Sequence, residues 1–187
     1  MFTKFLRSNQ DSLRVAIGGS SFDWFGQSAG GFAYYGCFTN TVAKVVYVFI
    51  EGLPSGSPIW VADIASHEAG HGFGLSHQST YDESGQLIDE YNPGVGYWDP
   101  IMGSRKSGIA TWHNGPSENG ATQLQDDMAI LAGTTNGFGY RTDDHSDLLA
   151  NATPMVSVGQ NRTGQGIIET NDDIDTFSFT ASIRCQA

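Results

Sequence analysis

Residues 67–77 read His-Glu-Ala-Gly-His-Gly-Phe-Gly-Leu-Ser-His, and no other stretch of the chain restricts its fold as tightly. His67 and His71 stand four apart, so on an α-helix they share one face, one turn apart. Both imidazoles can then reach a single metal ion. Glu68 follows the first histidine and faces the cleft side without having to bind the metal. It can take a proton from water activated there and hand it on to a leaving amine. A third ligand at position 75 would continue the helix past the ion, so the chain has to turn. Gly74 permits this, because glycine tolerates positive φ and lets a helix stop and bend back. His77 then arrives from the far side. Three neutral imidazoles around zinc leave the ion dicationic, with one position open to water. The competing reading is a zinc ion that only stabilises the fold. Such sites usually have four protein ligands, and the sequence offers no evident fourth.

The helix carrying this motif is predicted over residues 59–73, with Pro58 as its start signal. Val61, Ala65 and Ala69 form its expected buried stripe, flanked by Ile64. Small residues at Ala69, Gly70 and Gly72 allow close approach of neighbouring backbone.

On these residues the chain resembles the metzincin clan of zinc endopeptidases. The resemblance implies a methionine-containing turn beneath the metal, matched here by Asp99-Pro100-Ile101-Met102-Gly103, with Met102 as an apolar, polarisable floor. By itself Met102 reads equally as ordinary core. Some metzincins place a tyrosine two residues after this methionine. Ser104 stands there instead, followed by Arg105 and Lys106, so that role does not carry over. Gln78 departs from the residue that follows the third histidine in the major animal families. The likeness is therefore closest to bacterial, secreted, reprolysin-like or unassigned members. The stretches from Gly18 to Trp24 and from Asn136 to His145 also look like segments of large bacterial surface proteins. The resemblance implies an α+β fold: a metzincin-type mixed sheet in an α/β-like upper subdomain, a zinc-binding helix and a Met-turn. It further implies one catalytic zinc, a protein or peptide substrate, and an extracellular or cell-surface location.

A chain of 187 residues holds one domain of ordinary size. Its 39% hydrophobic and 12% aromatic content, with 24 glycines, suits a globular, loop-rich protein rather than a disordered one. A formal net charge of −11 argues against nucleic acid and anionic membranes as partners, and clustered acids leave structural calcium open. No run approaches a membrane span. Met1 to Arg7 has a basic start but lacks an apolar centre, so no signal peptide is read. Secretion without a leader, together with few residues before the zinc helix for a metzincin, predicts a fragment of a larger protein with part of the upper sheet missing. Cys37 and Cys185 have no metal spacing and are expected as free thiols rather than a disulfide.

The expected organisation is a peptidase domain over 1–140, a linker over 141–165 and, over 166–187, the start of a β-sandwich like that of the bacterial pre-peptidase C-terminal domain. Residues 13–19 read as a strand, 20–40 as loop and 42–51 as the strongest strand. The metzincin likeness would put that last strand at the cleft edge, paired with extended substrate; a central strand with no free edge is the alternative. Residues 79–98 read as a loop, and Trp98, Trp112 and His113 as either cleft wall or plain packing. Residues 121–132 read as a helix with Leu124, Met128 and Leu131 on one face, and Asp126 and Asp127 as solvated or structural. The turn from Asp172 to Asp175 either binds calcium or is simply exposed.

Two functions compete. One is a zinc-dependent endopeptidase with His67, His71 and His77 as ligands and Glu68 as general base. The other is a non-catalytic, zinc-containing module of a large bacterial cell-surface or adhesion protein. A third possibility is that the fragment does not fold alone.

Overall fold

A run of β-branched and aromatic residues, Val45-Val-Tyr-Val48, occupies the middle of the sheet that carries the motif helix. The computed structural model describes residues 12–53, 57–104, 108–170 and 172–181. Arg105 and Lys106, and the Cys185 of the cysteine reading, lie outside the described residues. The chain divides into two compact units, Met1–Phe138 and Gly139–Ala187.

The first unit opens with β1 (Arg14–Ile17), α1 (Ser21–Phe25), β2 (Gly31–Phe32) and β3 (Val45–Val48). β3 pairs with β1 in parallel and with β2 antiparallel, giving the order β1-β3-β2. β3 is therefore central, and the edge position expected of it belongs to β2. The loop expected over 20–40 contains both α1 and β2. α1 is capped by the Ser20 hydroxyl, which accepts from Asp23 N, and is ended by Gly26 at φ 74°. Val46 and Val48 are fully buried. A short 3₁₀ turn, Ile50–Gly52, ends the strand earlier than the sequence pattern predicts.

α2 (Pro58–Gly72) follows, with Pro58 in its first turn. Its expected stripe of Val61, Ala65 and Ala69 is only half-buried; the deeply buried positions are Glu68, Gly70 and Gly72. The reason is close packing. A Cβ at Gly72 would meet Leu13 and Val46, and one at Gly70 would strike the Met102 sulfur. α2 stops in a Schellman motif: Leu75 N donates to Gly70 O at 2.9 Å and Gly74 N to His71 O at 3.0 Å, with Gly74 at φ 96°.

Beyond α2 the chain forms paired short strands. The expected loop over 79–98 holds the hairpin β4 (Thr80–Tyr81) and β5 (Leu87–Asp89), closed by Asp82, whose Oδ1 accepts from Ser84 N and Gln86 N. β6 (Trp98–Pro100) pairs in parallel with β7 (Ile109–Thr111). β8 (Asn114–Ser117) and β9 (Gly120–Asp126) form an antiparallel hairpin, and α3 (Asp127–Ala132) follows, capped by the Asp126 side chain on Ala129 N. The helix expected over 121–132 is thus half strand. Pairing with β8 overrides the helical spacing, and Leu124, meant for the buried face, is 68% exposed. Phe38, Phe73 and Phe138 pack ring on ring at 5.0–5.3 Å and close the lower part of this unit.

The second unit contains the 3₁₀ turn Leu149–Asn151, β10 (Thr153–Pro154), β11 (Val156–Val158), β12 (Asn161–Thr163) and β13 (Phe177–Ser178). β10 pairs with β13 in parallel, and β11 with β12 as a hairpin. The segment 141–165, expected as a linker, accordingly carries strands. The alternating strand expected before residue 181 shortens to β13. The first unit mixes helix and strand in the α+β manner, while the described residues of the second carry short strands and a 3₁₀ turn.

Candidate metal centre and active site

Two of the three imidazoles come from α2 and the third from the chain just past its Schellman turn. His67 Nδ1 lies 2.7 Å from Ile101 O, and His71 Nδ1 2.7 Å from Leu75 O. A carbonyl only accepts, so each Nδ1 holds the proton and donates it, and each Nε2 keeps a free lone pair. At His77, Glu118 Oε2 stands 2.8 Å and Glu90 Oε1 3.2 Å from Nδ1. The contact is electrostatic rather than an aligned hydrogen bond. Its negative field favours the same tautomer. His71 Nε2 and His77 Nε2 are 3.1 Å apart, and one ligand atom from each of the three rings lies within 4.8 Å of the others. Imidazoles whose Nδ1 sides face carbonyl or carboxylate oxygens are the donor set that fits a zinc ion.

Glu68 is 7% exposed and does not join this group of ligand atoms. Burial pushes its carboxyl up to about 8. Gly31 of β2 lies directly against it, where any side chain would collide with the carboxyl group. A cleft of about 380 Å³ opens over the pair, lined by Gly30, Gly31, Ile64, His67, Glu68 and Tyr91 among others. Tyr91 sits over His77, ring centroids 4.2 Å apart. Met102 is fully buried against Gly70 of α2, in a turn at 101–103 closed by Gly103 N donating to Pro100 O at 2.9 Å.

Of the residues singled out in the sequence, His67, His71 and His77 converge, Glu68 lines the cleft beside His67, Gly74 ends α2 and Met102 packs against Gly70. Trp98, Trp112 and His113 do not line the cleft; the Trp98 indole packs on His113 and donates to Thr111 Oγ1 at 2.8 Å. Sequence reading missed Tyr91, Glu90 and Glu118. No local pattern marks them, because they meet His77 only through the β4–β5 and β8–β9 hairpins.

The site's ionisation gives the metal-free protein a two-sided pH dependence. Desolvation, with His71 nearby, lowers His67 to about 3 from 6.5. The unfolded chain binds the extra proton between those values, so stability falls as pH drops from 6.5 towards 3. Glu68 acts oppositely: the native state holds the proton from 4.5 up to about 8, so stability falls as pH rises through that range. Burial lowers His71 as well, so the two histidines outweigh Glu68 just below pH 6.5, and thermal melts of chelated protein are expected to be highest near pH 6.5. A melting temperature that climbs steadily to pH 9 would contradict this account of the site.

In the second unit, oxygens of Asp143, Asp147 and Asp173, and of Asp143, Asp144 and Glu169, lie within 4.8 Å of one another. Asp173 belongs to the turn from Asp172 to Asp175, and its Oδ2 is engaged by Glu169 N at 2.7 Å. Exposed acidic groups of this kind are common without an ion.

Paired α2 histidines, a third imidazole after a glycine turn and an adjacent buried carboxylic acid define an arrangement of the metallopeptidase kind. Residues 4–78 match the model of the M12B family of reprolysin-like metallopeptidases, so the metzincin-type resemblance stands over that part of the chain. No curated protein and no solved structure matches the chain. Among the described residues no helix is long and apolar enough to cross a membrane.

Proposed function

We propose that the chain is a zinc-dependent endopeptidase in which His67, His71 and His77 hold the ion and Glu68 is the general base. The observation that carries this reading is the convergence of three imidazoles, one of which, His67, lines an open cleft together with the largely buried carboxyl group of Glu68. When bound, zinc supplies a Lewis acid that polarises the scissile carbonyl and acidifies water. Glu68 takes the proton of the attacking water and passes it to the departing amine. Its contact with Gly31 and its burial limit the carboxyl's orientations, so the proton is exchanged at a fixed place.

Peptide substrate lies along β2 in this reading. Among the described residues β2 pairs only with β3, so its outer side offers main-chain groups next to Glu68. An extended peptide adds there as a further strand, with side chains falling into the cleft between Ile64 and Tyr91. Met102 serves as the Met-turn floor. Residues 166–187 are read as the opening of a β-sandwich, and the protein as a secreted or surface-borne bacterial enzyme.

Purified protein is expected to carry one zinc per chain and to cleave a quenched mixed-peptide library, with cleavage abolished by a chelator. Bound zinc without cleavage would favour the non-catalytic surface module. No zinc uptake would remove the metal reading altogether.

A further inference from the structure

His77 is the one ligand outside α2, and its chain segment is gripped from below on both sides. On one side, Ser76 N donates to Gln125 Oε1 at 2.9 Å, while Gln125 Nε2 donates to Ser76 O at 2.8 Å. This two-point pairing fixes which way the Gln125 amide faces. On the other side, Gln78 Nε2 donates to Gln125 O at 2.9 Å and to Asp127 Oδ1 at 3.1 Å. Gln125 Nε2 donates to the same Asp127 oxygen at 2.9 Å, and His113 N to Asp127 Oδ2 at 3.0 Å. Ser76, Gln78, Gln125 and Asp127 are all buried, Gln78 and Asp127 completely. Asp127 thus receives three donors and is the point at which both halves of the grip meet. The segment is also tied to the turn beneath the site, since Gln78 N donates to Met102 O at 2.8 Å.

We propose that Gln125 and Asp127 are positioning residues for His77. They lie beyond the stretch that matches the peptidase family, which ends at Gln78. Their hydrogen bonds to Ser76 and Gln78 hold the third imidazole facing the other two before a metal arrives. Without them the loop would have to be ordered at the expense of binding affinity. The inference rests on the zinc reading of the three histidines.

The test is zinc affinity of the whole chain, measured by competition with a chromophoric chelator, for Gln125→Met and Asp127→Asn. Both substitutions keep side-chain volume and remove or mismatch the grip. Each is expected to weaken zinc binding about 10–100-fold. The visible spectrum of the cobalt(II)-loaded variants should shift towards that of His77→Ala. Val48→Ala, a core change in β3, is the control: it lowers the melting temperature and leaves both readouts unchanged. Wild-type affinity and spectrum in Gln125→Met and Asp127→Asn would overturn the inference while leaving the zinc reading intact. If the unmodified chain takes up neither zinc nor cobalt, both fall together. Equal losses of affinity in Val48→Ala and in the two variants would also overturn it, because general destabilisation would then account for the effect.

Discussion

Glu68→Ala is expected to keep about one zinc per chain and to lose peptide cleavage by about 10²–10⁴-fold. The metal should stay because Glu68 is outside the group of converging ligand atoms, while His67 and His71 are oriented by the carbonyls of Ile101 and Leu75, which the substitution does not touch. Cleavage should fall through kcat, with KM nearly unchanged, since the lost interaction belongs to proton transfer and not to substrate binding. Glu68→Gln separates shape from chemistry. It keeps the side chain wedged against Gly31 but cannot accept a proton, and it should be as inactive as the alanine variant. The same substitutions remove a carboxyl group whose burial raises it to about 8. Above that pH the metal-free variants should therefore melt higher than the metal-free parent. Retained zinc with undiminished cleavage in Glu68→Ala would end the general-base assignment.

Met102→Ala is expected to cost about 2–5 kcal/mol of stability. The side chain is fully buried, touches Gly70 on α2, and occupies the turn whose carbonyls at Ile101 and Met102 engage His67 and Gln78. Its removal leaves a cavity against Gly70 and loosens the turn that contacts His67 and Gln78. Met102→Leu keeps the volume and should cost under about 1.5 kcal/mol. Denaturant unfolding of both variants, with and without zinc, measures this directly. If the leucine variant were as unstable as the alanine one, the thioether itself rather than space-filling would matter.

The centre of the site was legible because helical spacing is a local property. His67 and His71 must share a face once the segment is helical, and Gly74 is one of the few residues that lets α2 end where it does. The surroundings were not legible, because they depend on pairing between distant segments. Val45–Val48 reads as a good strand, but only β1 and β2 on either side decide that it is central. Gly31–Phe32 is too short and too poor in pattern to announce an edge strand. The stretch at 121–126 has helical spacing, yet Pro116 and Leu124 meet across a hairpin that turns at Glu118 and Asn119. Glu118, Glu90, Gln125 and Asp127 look like ordinary surface residues until the hairpins bring them to His77 and its neighbours. Local chemistry is written in one segment; the residues that tune it are spread from Glu90 to Asp127.

A free sheet edge carries a liability as well as an opportunity. Among the described residues β2 pairs only with β3, and backbone that receives a peptide in the proposed reading could equally receive the same edge of a second molecule. β2 is only two residues long, Gly31 and Phe32, with Gly31 pressed on Glu68 and the chain leaving the sheet directly afterwards. Such a short run offers too few hydrogen bonds to hold another folded copy. A flexible peptide can still add contacts in the neighbouring cleft. In the proposed reading, the brevity of β2 would therefore favour extended peptides over a second folded copy at this edge.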